Sequence, residues 1–272
     1  MNLPFAKEMT AIFDRIRDLP PITERKGTWQ GCIDEICENL NRNDNCHVHT
    51  VEETGDTLYT RKIGDGTHAG FSTYKFNDTT IDQVLDILYD ANHRTEVFKK
   101  ESCYLYGKTV LQESWDTNID YFVLHQHLSV QNMTKVAVNG AVAQLTAKVV
   151  SDRELVSEAF WVQLEDDEGN ATYTCVARGM DDESILAMPK DDMIPPSKFN
   201  GGVSVRGDCR WLFQHVRTSG DGAEVITGFN TDFNGKEGKL PTKVFETIYE
   251  FIYRKFPLEW GDHLREVIAD AI

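Results

Sequence analysis

Two long runs rich in β-branched and aromatic residues, 203–216 and 223–233, meet across Ser219-Gly220-Asp221-Gly222 and lead into a helical pattern over 242–256. Turn chemistry of that kind between two such runs predicts a β-hairpin. Strands this long must bury one face. The helix that follows offers the matching surface, with Val244, Phe245, Ile248, Phe251, Ile252 and Phe256 on one side. The end of the chain therefore predicts a sheet packed against a terminal helix. Pro257 interrupts the pattern, and a shorter helix is expected over 260–271.

The rest of the sequence extends this layout. Phe5, Met9, Ile12, Phe13, Ile16 and Leu19 form one helical stripe that Pro20-Pro21 ends. Trp29, Ile33, Ile36, Cys37 and Leu40 form a second. From Cys46 the period changes to two, giving strands over 47–53, 57–63 and 70–76. Asp78 reads as the cap of a helix carrying Ile81, Val84, Leu85 and Leu88, with another helical stretch over 94–102. Two further hairpins follow, 108–113 with 119–128 and 155–164 with 172–179, and 181–202 reads as a long loop. Helices, three strands, helices, six strands and a last helix make an α+β protein whose antiparallel sheet has its helices to one side. A long sheet twists and curls, and Gly107, Gly207 and Gly228 are placed to bend it further. If the terminal helix fills the concave face, the result is an ordinary core; if it leaves a gap, the gap is a tunnel.

Composition narrows the function. Net charge is −16 over 272 residues, with no extended basic cluster, which argues against nucleic acid and against lasting attraction to anionic membrane. No apolar run is long enough to span a bilayer, and the charged first nineteen residues do not resemble a secretory signal. The six cysteines lack a C-x-x-C pair and read as reduced thiols of a cytoplasmic protein. No nucleophile elbow, phosphate loop or dinucleotide fingerprint is present, so neither a cofactor nor an enzyme is expected. His47-x-His49 and His125-x-His127 have a spacing that zinc sites use, but nothing joins the pairs, and satisfied or surface histidines are the better reading.

The strand pair beginning Gly202-Val203-Ser204-Val205-Arg206-Gly207-Asp208 continues through Thr231-Asp232-Phe233-Asn234-Gly235 into Gly238-Lys239-Leu240-Pro241. Together with Val110-Leu111-Gln112-Glu113, Asp116-Thr117, Ser151-Asp152-Arg153-Glu154-Leu155-Val156, Trp161 and His263-Leu264-Arg265, this order resembles the START domain, the steroidogenic-acute-regulatory-related lipid-transfer module. The resemblance covers residues 29–268. It implies a helix-grip fold, in which a curved antiparallel sheet grips the C-terminal helix around an internal cavity for one lipid. On that reading the chain is one domain: helices over 1–45, the sheet with inserted helices over 46–241, and a lid helix over 242–272. The implied partner is a hydrophobic small molecule, with transient membrane contact.

Two departures from the family pattern stand out. Several sterol-carrying members face an acid and an arginine across the tunnel, and alignment puts Phe122 and Ala159 at those positions. Losing both together avoids an unpaired buried charge, but removes a polar anchor for a ligand hydroxyl. Residues 129–150 are also longer than the family usually has, and read as an extra hairpin about Asn139-Gly140 or as an enlarged lid, the hairpin being preferred. The expected ligand-lining set is Phe122, Leu124, Ala159, Trp161, Val176, Arg178, Val205, Trp211, Val225, Phe245, Ile248 and Ile252. Trp161 and Trp211 belong to it only if their faces point inward. Arg178 either pairs with an acidic neighbour or meets a lipid phosphate, and a helix-grip enzyme using Glu158 and Arg178 is the rival reading. An interaction module with a filled core is the other.

Overall fold

The computed structural model describes residues 3–24, 29–42, 46–63, 68–89, 97, 104–129, 152–193, 204–232, 253 and 256–271. Helices α1 (Ala6–Arg17), α2 (Pro20–Glu24) and α3 (Trp29–Asn41) precede strands β1 (His47–Thr50), β2 (Thr57–Lys62) and β3 (His68–Phe76). Helix α4 (Ile81–Leu88) leads to β4 (Tyr104–Asp116), β5 (Ile119–Leu128), β6 (Asp152–Glu165) and β7 (Ala171–Gly179). A short α5 (Asp182–Leu186) and a 3₁₀ turn (Lys190–Asp192) come before β8 (Ser204–Arg206), β9 (Asp208–Ser219) and β10 (Gly222–Asp232). Helix α6 (Phe256–Ala271) ends the chain.

The strands form one curved ten-stranded sheet in the order β1-β2-β3-β10-β9-β7-β6-β5-β4, with β8 set against β6. All pairings are antiparallel except β6 with β8. The two ends, β1 and β4, do not meet, so the sheet stays open. Edge strand β4 slips register against β5 three times, and such irregularity discourages a second chain from adding to the edge.

Sequence signals set most of these boundaries. Met9, Phe13 and Ile16 of α1, and Trp29, Ile33, Ile36 and Leu40 of α3, are almost wholly buried at the spacing of one helix face. Pro20-Pro21 ends α1 as expected and then opens α2, where a first-turn proline costs no hydrogen bond. The Arg61 guanidinium donates to the carbonyls of Asn39 (2.9 Å) and Arg42 (2.8 Å), closing the end of α3 with positive charge. Asp78 does not cap α4. Thr80 does, in a capping box with Gln83, while Asp78 takes a left-handed φ of 59° in the turn before it.

Three other expectations change. The stretch expected as a loop from residue 181 begins with α5, because the Asp181 carboxylate accepts from the Ser184 amide at 2.8 Å. The expected strand over 203–216 is broken at Gly207, so that β8 runs beside the first residues of β6 where β7 has ended. Gly228 marks close packing, since a Cβ there would overlap the Phe213 ring and lie 2.9 Å from Phe71; the bulge falls at Asn230/Thr231. The helical stretch over 94–102 and the segment 130–150 lie outside the described residues, apart from helical Val97.

The sheet has a core on each face. On one, α1 and α3 cover Tyr121, Phe160, Val176, Trp211, Phe213, Phe71 and Ile226. On the other, α4 and α6 cover Tyr74, Phe76, Trp161, Cys175, Val216 and Val225.

Candidate functional site

The register sorts every strand residue onto one of these faces, because direct cross-strand partners share a face. Phe122, Ala159, Ala177, Leu212, Phe229 and Gly70 form one continuous row on the α6 face. Next to it lie Trp161, Cys175, Gln214, Thr227 and Ser72. A third row holds Tyr173, Val216, Val225 and Tyr74.

The middle of the first row carries only small side chains. Ala159 and Ala177 are direct partners on β6 and β7, and the next row outward is Leu124, Ser157 and Gly179. Ala159 and Ala177 are 1% and 7% exposed, and their small side chains on adjacent central strands form a shallow strip, or trough, between the larger Phe122 and Leu212. Leu124, Leu212 and Phe229 are all half-buried on this face, although Trp211 and Phe213 beside them on β9 are 0% exposed on the other.

The C-terminal segment lies along β3 and β10 at the side of this trough. The Tyr253 ring stacks on Phe229 at 4.8 Å, and its hydroxyl hydrogen-bonds with the Thr231 backbone. Gly70 makes this possible, since a Cβ there would come within 2.7 Å of the Phe229 ring. The Tyr74 hydroxyl donates to the Pro257 carbonyl at 2.6 Å, and Trp260 packs on the same ring at 4.9 Å. Arg265 completes the attachment, reaching Asp56 at 2.5 Å and lying over Phe76. Pro257 lies in the first turn of α6, so the helix starts four residues earlier than the expected 260.

The expected lining residues divide between the faces. Phe122, Leu124, Ala159, Trp161 and Val225 lie on the α6 face, with Val205 at its far end beside Arg153. Val176, Trp211 and Arg178 lie on the opposite face, toward α1 and α3. Phe245, Ile248 and Ile252 fall outside the described residues. Arg178 forms an ion pair with Glu158 and stacks over Trp29 at 5.1 Å, and Glu158 also accepts from the Tyr121 hydroxyl at 3.1 Å. Tyr121 is pushed well above the usual phenol range, by burial first and then by the Glu158 charge. The candidate acid and clamp thus neutralise each other, with the sheet between them and the trough.

A cleft of about 410 Å³ opens on that same side between α3 and the ends of β7 and β9, lined by Cys32, Glu35, Arg178, Asp208 and Cys209 among others. Burial keeps both thiols protonated: Cys32 is raised far above its ordinary range, and Cys209 to about 12, with the Asp208 charge adding to the effect. Neither thiol is therefore activated as a nucleophile.

The paired histidines have structural partners. His127 meets Asp152 at 3.0 Å, and His125 meets Glu154 at 2.8 Å, which in turn pairs with Arg206. His47 and His49 are exposed on β1. Among the described residues, no group of three ligating side chains converges as a metal site.

Sequence reasoning missed Ala177, Leu212, Gln214, Thr227 and Ser72. Alternation on β9 and β10 marks Leu212, Gln214, Val225 and Thr227 as alternate-face residues, but only the register says which face α6 grips.

No protein-family model matches the sequence, and comparison with curated proteins gives no match. Solved structures do. The structure described as human STARD10 superposes with a TM-score of 0.54 at 13% identity, covering 86% of this chain and 78% of that one. Human StAR-related lipid transfer protein 5 gives 0.55 at 12% identity, covering 87% and 94%. The human StarD13 (DLC2) lipid transfer and protein localization domain gives 0.50 at 14%, covering 89% and 97%. The open, curved antiparallel sheet with its C-terminal helix is the helix-grip fold of the START domains.

Proposed function

We propose that this protein binds one lipid or similar hydrophobic molecule between the α6 face of its sheet and the C-terminal helix, and acts as a non-enzymatic carrier or sensor. The trough at Ala159–Ala177 carries this reading, because half-buried Leu124, Leu212 and Phe229 flank it within the interior of the sheet. Apolar burial supplies the affinity, at about 25 cal/mol for each Å² removed from water. The likeness to structures described as lipid-transfer proteins supports the same assignment.

Membrane contact is transient on this reading. Among the described residues no helix is long and apolar enough to cross a bilayer, and a net charge of −16 opposes residence on anionic lipid. The five described cysteines carry free thiols, which suits the cytoplasm as the place of work.

Native mass spectrometry and lipid extraction of the purified chain test the proposal. A bound hydrophobic molecule, or saturable uptake of fluorescent lipid from vesicles, is expected. A chain that carries no ligand and takes up none overturns it.

A further inference from the structure

The row beside the trough differs in chemistry from its neighbours. Between β7 and β3 it reads Cys175, Gln214, Thr227 and Ser72, against Ala177, Leu212, Phe229 and Gly70 on one side and Tyr173, Val216, Val225 and Tyr74 on the other. Gln214, Thr227 and Ser72 are direct partners on three adjacent central strands, at 6%, 9% and 1% exposure. Trp161 joins the row through Cys175 at 2% exposure. Such a polar stripe adds nothing to an apolar core.

Two of its groups have no partner. The Ser72 hydroxyl and the Trp161 indole N–H are both buried and make no hydrogen bond. An unsatisfied buried donor or acceptor costs about 1–3 kcal/mol, so keeping two on the gripped face calls for something that satisfies them. Water or a ligand atom does that, and the row lies directly beside the Ala159–Ala177 row, where the ligand is proposed to sit.

The row is also uncharged. From β6 to β3 it contains no Asp, Glu, Lys or Arg. The acid that continues the row, Asp120, lies one strand beyond Trp161, away from Gln214, Thr227 and Ser72, and accepts from the Ser114 hydroxyl. Gln214 offers both a donor and an acceptor, and Ser72 and Thr227 offer hydroxyls. A phosphate or a quaternary amine seated here loses its hydration and meets no counter-charge.

Resting on the carrier reading above, we propose that Gln214, Thr227 and Ser72 seat the polar end of the ligand, and that this end is a neutral hydroxyl or carbonyl, not a charged headgroup. Trp161 then donates to a second acceptor oxygen two strands away from Gln214. The ligand class is a neutral amphiphile such as a sterol or an acylglycerol, in preference to a phospholipid.

The full chain is offered vesicles containing dehydroergosterol, dioleoylglycerol, phosphatidylcholine and phosphatidylserine, and the lipid it extracts is identified by native mass spectrometry. Loading of dehydroergosterol or dioleoylglycerol is expected. Ser72→Ala combined with Thr227→Val should weaken that loading about tenfold, the loss of roughly one net hydrogen bond. Thermal unfolding reports whether the double variant folds, and Thr227→Val alone, which keeps the side-chain volume, serves if it does not. Preferred loading of either phospholipid overturns the proposal, as does neutral-lipid loading that the variants leave unchanged; the carrier reading survives both results. Loading of no lipid at all removes the carrier reading and this proposal with it.

Discussion

Phe122 on β5 and Ala159 on β6 are direct register partners on the face that α6 grips. These are the positions where the resembled family pattern sets an acid against an arginine, so the two replacements meet in space. An aromatic ring and a methyl group take the place of an ion pair. The charge is lost in compensated form, and beside Ala177 a methyl group stands where the pattern has the longer arginine.

The small Ala159–Ala177 strip can be enlarged on purpose. If ligand volume borders this strip, Ala159→Leu should keep the protein folded within about 1 kcal/mol of the parent, since added methylenes entering open volume escape the overpacking cost of about 1–3 kcal/mol seen in close-packed cores. Lipid uptake should fall at least tenfold. Denaturant unfolding and a vesicle-uptake assay read the two effects separately. A loss of stability with unchanged uptake means the trough is closed core.

Restoring only half of the lost pair should do harm. Ala159→Arg opposite Phe122 buries a lone guanidinium and should cost about 3–5 kcal/mol. Phe122→Asp in the same chain should recover part of that loss, and a double-mutant cycle measures the coupling. Additive costs would show that the two side chains do not meet.

His215 sets an acid limit. It is 0% exposed and shares a hydrogen bond with Thr174 at 2.9 Å, and burial, helped by the Arg217 charge, pulls its pKa down from 6.5 to about 3. Below pH 6.5 the unfolded chain takes up a proton that the folded chain refuses. Stability from this residue is therefore full above 6.5 and drains as pH falls toward 3. Between pH 7.5 and 5 the loss is about 2 kcal/mol. His215→Gln should flatten the stability profile across that window, and urea unfolding at a series of pH values checks it. An unchanged slope would count against a neutral buried imidazole.

The Tyr74 hydroxyl ties β3 to the first turn of α6 through the Pro257 carbonyl. Tyr74→Phe keeps the ring on Trp260 but removes this bond, at a cost of about 1 kcal/mol. If lipid exchange requires the C-terminal segment to lift, ligand release should quicken several-fold while the melting temperature falls only slightly. Stopped-flow transfer between vesicles measures the rate. A release rate equal to the parent's places the exit elsewhere.

Much of the fold can be read along the chain because its signals are local. The stripes of α1 and α3, the turns at Gly169 and Gly220, and the strand pairs they join all depend on residues within a few positions of one another. Asp78 shows the limit: it has good cap chemistry, but Thr80 and Gln83 form a reciprocal pair and take the role. The candidate site was legible only in part. Alternation identifies Trp161 and Ala159 as one set and Phe160 and Glu158 as the other, yet period two carries no information about which set meets α6.

By itself the sequence indicated the stripes of α1 and α3, most of the strands with their hairpin turns, and the positions of Phe122 and Ala159 in a familiar pattern. Only the tertiary structure decided the faces. It set Arg178 against Glu158 under Trp29, on the far side of the sheet from the trough. It also aligned Gln214, Thr227 and Ser72, which lie far apart in the chain, into one row. The physical reason is register: a shift of one residue in any pairing exchanges the two faces of a strand, and that choice is made by long-range burial of the central strands between two layers of helix.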